Sequence, residues 1–315
     1  MKASRIHAFG GADALSCEEV PTPTIRDNEV LVRNRAAGVN PIDWKTCSGG
    51  GAAAFIGKLP FIPGWEFAGT VEMVGAGVED YQIGDRVFGF IRFPEAAGCY
   101  AEYVAAPVAQ IAHKPDELSF SQAGGLGLAG LTAWQALHDK GQLQAGQKVL
   151  VLAAAGGVGH LAVQLAKAAG AEVIGSASAA NHEYLRGLGC DRLIDYKTQD
   201  LASEVQDADL VIDGIGGEVG ISALSCLKPG GRLVTLPSVT ADAVIRAAEA
   251  DGKQALGIRV EPNGQQLAEL ARLCAEGKLQ LTLAGELPLS EARQAHQQSA
   301  GGHVRGKLVL TIEES

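Results

Sequence analysis

The amino-acid sequence predicts an α/β protein with two domains, a β-barrel-like domain followed by a doubly wound parallel sheet. Its 315 residues exceed the usual size of one domain, and 47% of them are hydrophobic, which is enough for two cores. Short strand-like segments separated by Pro, Gly and Asp occupy residues 1–115, whereas apolar runs alternate with helical segments after about residue 120. The second pattern is typical of repeated βαβ units.

Four segments of the first part have strand-like composition, namely residues 29–33, 67–74, 86–90 and 100–104. In the second part, six candidate strands are residues 148–154, 171–176, 192–194, 209–213, 231–236 and 256–260. Six strands with helices between most of them suit a doubly wound sheet. A short helix over 290–299 and a strand over 306–312 follow, and the sequence alone leaves their domain undecided.

Charge and composition exclude several classes of function. The formal net charge of −10 and the absence of a basic run argue against a surface for nucleic acid or an anionic membrane. The N-terminus has no apolar signal region, and no stretch of about 18 uncharged apolar residues occurs, so we expect a soluble cytoplasmic protein. Six widely separated cysteines predict reduced thiols rather than a metal knot.

A glycine-rich turn carries the strongest functional signal. The strand at 148–154 leads through Ala155, Gly156, Gly157, Val158 and Gly159 directly into a helical segment. Backbone N–H groups at such a helix start can hold a pyrophosphate. Gly156 and Gly159 match the second and third glycines of the dinucleotide fingerprint, and Ala154 replaces the first. The alternative is a glycine turn without a ligand.

The end of the next strand predicts which dinucleotide binds. An NAD-specific site places Asp or Glu there, on the ribose 2′-hydroxyl. This chain has Ser176 and Ser178 instead, with Asn181 close behind, and no carboxylate that would repel a 2′-phosphate. The sequence therefore favours NADPH.

Several motifs together resemble those of the medium-chain dehydrogenase/reductase superfamily, specifically its zinc-independent quinone reductase and enone reductase branch. They are residues 37–43, 63–69, 84–87, the glycine turn and residues 302–307, and the resemblance spans nearly the whole chain. It implies a GroES-like β-barrel catalytic domain (1–115), a Rossmann domain that binds NADPH (116–284) and a C-terminal return to the catalytic domain (285–315). It also implies an active site in the cleft between the domains and a homodimer.

The same resemblance implies that no metal is bound. Zinc-dependent relatives have a Cys near the position of Asn40, a His near that of Trp65 and a separate four-Cys lobe, all of which this sequence lacks. Glu66 alone cannot hold a catalytic zinc, which needs about three protein ligands. We therefore expect a structural role for Glu66.

The resemblance also assigns candidate site residues. Asn40 would face the nicotinamide end of the cleft, Thr132 would approach the cofactor, and Tyr196 would lie near the adenosine phosphate. Each has an ordinary alternative, namely a turn cap, a helix-packing hydroxyl and a surface aromatic. Lys45 matches the Lys of plant-type enone reductases and would anchor cofactor or polarise a carbonyl, or it is simply exposed. Asp43 would pair with Lys45 or cap the following turn.

The expected chemistry is hydride transfer from the cofactor to a quinone or an α,β-unsaturated carbonyl compound, since no nucleophile, carboxylate pair or metal set is evident. Asn40 or Lys45 would stabilise the oxyanion formed on the substrate. Two alternatives remain, a non-enzymatic NADPH-binding protein of the same fold and a zinc-type alcohol dehydrogenase.

Overall fold

In a computed structural model that describes residues 1–313, fifteen strands and ten α-helices are defined. The strands are β1 (Lys2–Arg5), β2 (Ser16–Glu19), β3 (Glu29–Val39), β4 (Glu66–Val74), β5 (Arg86–Phe90), β6 (Tyr103–Pro107), β7 (Ile111–His113), β8 (Lys148–Val151), β9 (Glu172–Ser176), β10 (Arg192–Ile194), β11 (Ala208–Asp213), β12 (Leu227–Thr235), β13 (Gln254–Gly257), β14 (Leu283–Pro288) and β15 (Lys307–Thr311).

The helices are α1 (Pro41–Cys47), α2 (Phe120–Gly124), α3 (Gly127–Trp134), α4 (Gly159–Ala168), α5 (His182–Gly187), α6 (Leu201–Glu204), α7 (Gly217–Ala223), α8 (Ser238–Ala250), α9 (Gly264–Ala275) and α10 (Ala292–Ala300). A π-helical segment, Gln135–Lys140, continues α3. None of the helices within residues 1–313 has the length and apolar character needed to cross a bilayer.

The chain divides into two compact units. Unit 1 contains Met1–Leu131, Glu261–Gly277 and residues 281–313, and unit 2 contains Thr132–Val260 and Lys278–Gln280. The boundaries predicted from the sequence, 115/116 and 284/285, differ from these bounds. The helix α2 packs on β3 and β4, and α9 packs on β7, so both helices belong with the strands of unit 1.

Unit 1 is organised around the long strand β3. Its sheet has the order β14-β15-β3-β4-β5-β7, and β6 also pairs with β3. The length of β3 allows β6 to pair along residues 29–33 and β15 along residues 36–39. Nine of its eleven residues are buried, polar Glu29 and Asn34 among them, as suits a strand in the middle of a sheet. Strands β1 and β2 form a separate antiparallel pair.

Unit 2 contains one parallel sheet of six strands in the order β10-β9-β8-β11-β12-β13. The doubly wound class predicted from the sequence is confirmed. Strand order reverses between β8 and β11, and in such sheets ligands bind outside the carboxyl ends of the strands at this reversal. The glycine turn follows β8 and therefore begins at that position.

The cysteines form no disulfide in the described part of the chain. Cys17 is exposed, and Cys47, Cys99, Cys190, Cys226 and Cys274 are buried. Burial raises the pKa of Cys47, Cys190 and Cys274 to about 12 and that of Cys226 to about 11. It also raises the pKa of Cys99 well above its ordinary value.

Candidate functional site

The turn between β8 and α4 has the geometry of an anion-binding helix start. The N–H of His160 donates to the Gly156 carbonyl at 3.1 Å, so helical hydrogen bonding begins within the turn itself. The first N–H groups of a helix have no partner four residues earlier and are available to a ligand. Gly156, Gly157 and Val158 are partly exposed, which leaves this part of the turn accessible.

Close packing explains the third glycine of the motif. A Cβ atom at Gly159 would lie 2.3 Å from the carbonyl oxygen of Ala153 and 2.8 Å from Cα of Ala154. No real Cβ approaches backbone so closely, so only glycine lets α4 begin here. A dinucleotide-binding turn requires the same close approach of helix and strand.

The glycine turn contains a left-handed residue, which lies one position before Ala154, the residue that matches the first glycine of the fingerprint. Ala153 has a φ of +51°, in the left-handed region that favours glycine. Ala154, assigned above to the first glycine position, is buried, and its N–H donates to the Ser176 carbonyl at 3.1 Å. The left-handed residue of the turn is therefore Ala153, and Ala154, within the same turn, is bonded to the end of β9.

The loop after β11 lies against this turn. A Cβ at Gly214 would lie 3.3 Å from the Leu152 carbonyl oxygen. Asp213 is fully buried, and its carboxylate accepts hydrogen bonds from the N–H groups of Ile215 and Gly216 at 2.9 and 2.8 Å. Sequence reasoning missed Asp213, although an acidic residue that ends a buried strand and precedes Gly-Ile-Gly-Gly was a usable signal.

The residues predicted to select the dinucleotide follow β9. Ser176 is buried as the last residue of that strand, and Ser178 is half-buried. The Asn181 amide donates to Oγ of Ser178 at 3.2 Å, so the structure brings these two predicted residues together. Thr132 is buried in α3, and Tyr196 is 58% exposed after β10. The glycine turn and this carboxylate-free strand end fit a dinucleotide.

In unit 1, Asn40 is held by a buried ion pair. Its side-chain amide donates to Oε1 of Glu66 at 2.7 Å and accepts a hydrogen bond from Nζ of Lys307. The Lys307 ammonium also lies 2.9 Å from Glu66 Oε1. An ammonium only donates and a carboxylate only accepts, so these two partners fix which way the Asn40 amide points.

The position of Glu66 depends on a glycine. A Cβ at Gly38 would lie 2.0 Å from Oε1 of Glu66, so the carboxylate fills the space that a side chain would need. The other carboxylate oxygen accepts the N–H of Leu128 at 2.7 Å. Glu66 thereby joins β4 to β15, α1 and α3, as expected for a structural residue. Lys307 was not among the predicted site residues, although a lysine at the start of an apolar strand was a signal.

Asp43 lies at the centre of a second group of buried polar side chains. Its Oδ2 accepts the backbone N–H of Asn40 at 2.7 Å and the hydroxyl of Tyr100 at 2.9 Å. His296 Nε2 lies 3.2 Å from the Tyr100 oxygen. Burial raises the pKa of Asp43 to about 7 and lowers that of His296 to about 4. Of the two roles considered for Asp43, the structure shows the cap of α1, with Asp43 bonded to Asn40 rather than to Lys45.

Lys45 lies outside both groups. It is half-buried on α1, and its ammonium lies 5.3 Å from the centre of the Trp44 ring, in a cation–π contact. The structure therefore joins Asn40 and Asp43 but leaves Lys45 on another part of the helix. The following glycine-rich segment is tied back to α1, because Oγ of Ser48 donates to the Trp44 carbonyl at 2.8 Å.

Within residues 1–313, no three His, Cys, Asp or Glu side chains are grouped as metal ligands. Trp65, where zinc-dependent relatives have a His, is fully buried, and its indole N–H donates to the Glu95 carbonyl at 2.6 Å. Zinc independence stays a prediction that a metal assay must test.

Comparisons with known proteins match two parts of this chain to dehydrogenase families. Residues 26–116 match the family described as "Alcohol dehydrogenase GroES-like domain", and residues 188–310 match that described as "Zinc-binding dehydrogenase". The chain is 33% identical to the "Chloroplast envelope quinone oxidoreductase homolog" of Arabidopsis thaliana, over 98% of both chains. It is also 33% identical to the "NADPH-dependent alkenal/one oxidoreductase, chloroplastic" of the same plant, over 98% of this chain and 79% of the relative.

Solved structures give the same result. The quinone oxidoreductase from Coxiella burnetii is 42% identical, with a TM-score of 0.94 over 99% of both chains. The Escherichia coli quinone oxidoreductase in complex with NADPH is 27% identical, with a TM-score of 0.85 over 99% of this chain and 100% of that one.

Proposed function

This chain belongs to the medium-chain dehydrogenase/reductase superfamily, in its quinone and enone oxidoreductase branch, and we propose that it uses NADPH to reduce a quinone or an α,β-unsaturated carbonyl compound. The observation that carries this proposal is the turn from β8 into α4. It lies at the reversal of a six-stranded parallel sheet and has no room for any residue but glycine at position 159.

The choice of NADPH over NADH is supported by the end of β9. Ser176 and Ser178 stand where an NAD-specific site has a carboxylate, and residues 176–182 contain no acidic side chain. The Ser178 hydroxyl, already bonded to Asn181, offers a donor to a 2′-phosphate. When bound, NADPH supplies the hydride, and the protein supplies orientation and charge stabilisation.

Asn40 and Lys45 are the residues that we assign to the substrate. One N–H of the Asn40 amide is used by Glu66, and we assign the second to the oxygen that becomes negative as the substrate is reduced. Lys307 donates a hydrogen bond to the carbonyl oxygen of the same amide and prevents the amide group from flipping. Lys45 is a second donor on the same helix, and the last proton comes from water.

A screen of NADPH oxidation over quinones, alkenals and cyclic enones tests the proposal. We expect turnover with at least one class and loss of NADPH binding in Gly159→Ala, because its methyl group meets the Ala153 carbonyl. Gly187→Ala is the matched control, since a Cβ there meets nothing within 4 Å. Tight NADPH binding without turnover of any compound would favour the non-enzymatic alternative.

We also propose a homodimer. Strand β13 ends the six-stranded sheet, and its outer edge pairs with no other strand within residues 1–313. Strands of two chains pair through edges of this kind. Light scattering should give a particle of twice the 32.5 kDa chain mass. A monomer at micromolar concentration would contradict the proposal.

A further inference from the structure

Behind Asn40 lies a line of three buried side chains that the proposed reaction does not use. Asp43, Tyr100 and His296 are each 0% exposed and come from widely separated parts of unit 1. Tyr100 lies between the other two, bonded to Asp43 at 2.9 Å and to His296 at 3.2 Å. The line ends at the backbone N–H of Asn40, which donates to the same Asp43 oxygen.

The direction of these hydrogen bonds follows from the number of protons available. Tyr100 has one hydroxyl proton and gives it to Asp43. His296 Nε2 must therefore carry the proton shared with the Tyr100 oxygen, which leaves Nδ1 as a bare acceptor. Burial lowers the pKa of His296 to about 4, so at neutral pH the ring has only this one proton.

This arrangement is costly for stability alone. Asp43 Oδ1 and His296 Nδ1 are buried and have no hydrogen-bond partner among the described residues. Buried polar atoms without partners destabilise a fold, and apolar side chains of similar size would fill the same space without that cost. Such an arrangement is more typical of functional sites than of ordinary cores.

We propose that Tyr100 and His296 are positioning residues for Asn40, because together they orient the Asp43 carboxylate that fixes the Asn40 backbone and thereby the direction of its side-chain amide. This inference rests on the proposed function, in which Asn40 contacts the substrate. Neither Tyr100 nor His296 contacts substrate in this scheme.

Protonation of Asp43 gives the proposal a measurable signature. The charged and titratable groups that act on Asp43 are Tyr100, whose hydrogen bond lowers its pKa, Lys307, which also lowers it, and Glu66, which raises it. Cys47 and Cys99 also lie within electrostatic range. Removing the Tyr100 hydroxyl withdraws a hydrogen bond from the charged form of Asp43, which should raise its pKa by about one to two units.

The test compares Tyr100→Phe with Tyr81→Phe. Tyr81 lies in the same unit and donates its hydroxyl to the Ile111 carbonyl at 3.1 Å, away from the site, so Tyr81→Phe also loses one hydroxyl hydrogen bond. Two measurements are made on each, the pH profile of kcat/KM and the carboxyl 13C titration of Asp43 in protein labelled at Asp, assigned with Asp43→Asn. Two variants of His296 extend the series: His296→Gln keeps an N–H donor, and His296→Leu does not. They replace Tyr100→Phe if that variant fails to fold.

In Tyr100→Phe we expect the acid limb of the profile and the Asp43 titration to move up together by about one to two pH units, with kcat lowered more than KM is raised. His296→Leu should move the acid limb of the profile and the Asp43 titration in the same direction, and His296→Gln should move them by a smaller amount. Unchanged titration and profile in Tyr100→Phe and His296→Leu, or an equal shift in Tyr81→Phe, would overturn the proposal. If no substrate is reduced by the unmodified protein, the proposed function fails, and the carboxyl titration still decides whether Tyr100 and His296 govern Asp43.

Discussion

Replacing His296 by Gln should change how the stability of unit 1 depends on pH. His296 has its pKa lowered from an ordinary 6.5 to about 4, so between these values it is neutral when folded and charged when unfolded. Unfolding then takes up a proton, and the free energy of unfolding rises with pH. Asp43 behaves oppositely, because burial raises its pKa from 3.8 to about 7. The contribution of Asp43 to the free energy of unfolding is fully present below its pKa in the unfolded state and is lost as pH rises through its pKa in the folded state.

The two contributions nearly cancel in the unmodified protein, since each has a slope of about 1.4 kcal/mol per pH unit with opposite sign. His296→Gln removes the rising contribution. Relative to the unmodified protein, its free energy of unfolding should fall by about 3 kcal/mol between about pH 4 and 6.5. Asp43→Asn removes the falling contribution, so its difference should rise by about 4 kcal/mol between about pH 4 and 7.

Urea unfolding followed by tryptophan fluorescence measures both differences, because Trp44 and Trp65 lie in unit 1. Taking differences from the unmodified protein at each pH cancels the titrating groups whose pKa values the substitution leaves unchanged. We expect the differences for the two single variants to change with pH in opposite directions. For the double variant, the difference in free energy of unfolding from the unmodified protein should be nearly independent of pH. Two differences that do not change with pH, or that change in the same direction, would refute the argument that burial shifts these two groups.

Four further predictions concern the cofactor, the turn and the metal. Ser178→Asp should lower the affinity ratio of NADPH to NADH at least about tenfold by placing a carboxylate near the 2′-phosphate, with neutral Ser178→Asn as control, measured by fluorescence titration. Ala153→Gly should raise the free energy of unfolding by about 0.5–1 kcal/mol because it relieves a left-handed alanine. Ala154→Gly, at a buried position whose φ is not positive, should lower it, and urea unfolding measures both effects. Lys45→Met should lower kcat by about 10² to 10³ and leave NADPH affinity nearly intact, and weakened NADPH binding with normal turnover would make Lys45 a cofactor anchor instead. Elemental analysis of the purified protein should find no stoichiometric zinc, and one zinc per chain lost together with activity would contradict this.

The sequence predicted unit 2 closely because its strands are buried on both faces. Such strands are continuous apolar runs whose ends are marked by Gly or charged residues. β10 has the predicted limits, and β12 begins four residues before the predicted 231 because it bulges against β11. The short strands β1, β2, β7 and β14 were missed. β2 is mostly exposed, and β14 alternates without a strong apolar run.

The candidate site was predictable only where its residues are neighbours along the chain. The glycine turn and the cap between Asn40 and Asp43 are local, and the sequence identified these residues. Tyr100 lies 57 residues from Asp43 and 196 from His296. No spacing rule connects residues so far apart, because tertiary packing, such as that of α10 on α1, brings those regions together.

Burial of the cysteines has a consequence for an enzyme that handles electrophiles. Quinones and α,β-unsaturated carbonyl compounds add to thiolates, and the reactive form of cysteine is the thiolate. Cys47, Cys190 and Cys274, with pKa values raised to about 12, remain thiols at neutral pH and are shielded from solvent. The same interior that keeps these side chains inert therefore protects the protein from alkylation by its own proposed substrates, and it leaves Cys17 as the thiol at the surface where such damage would begin.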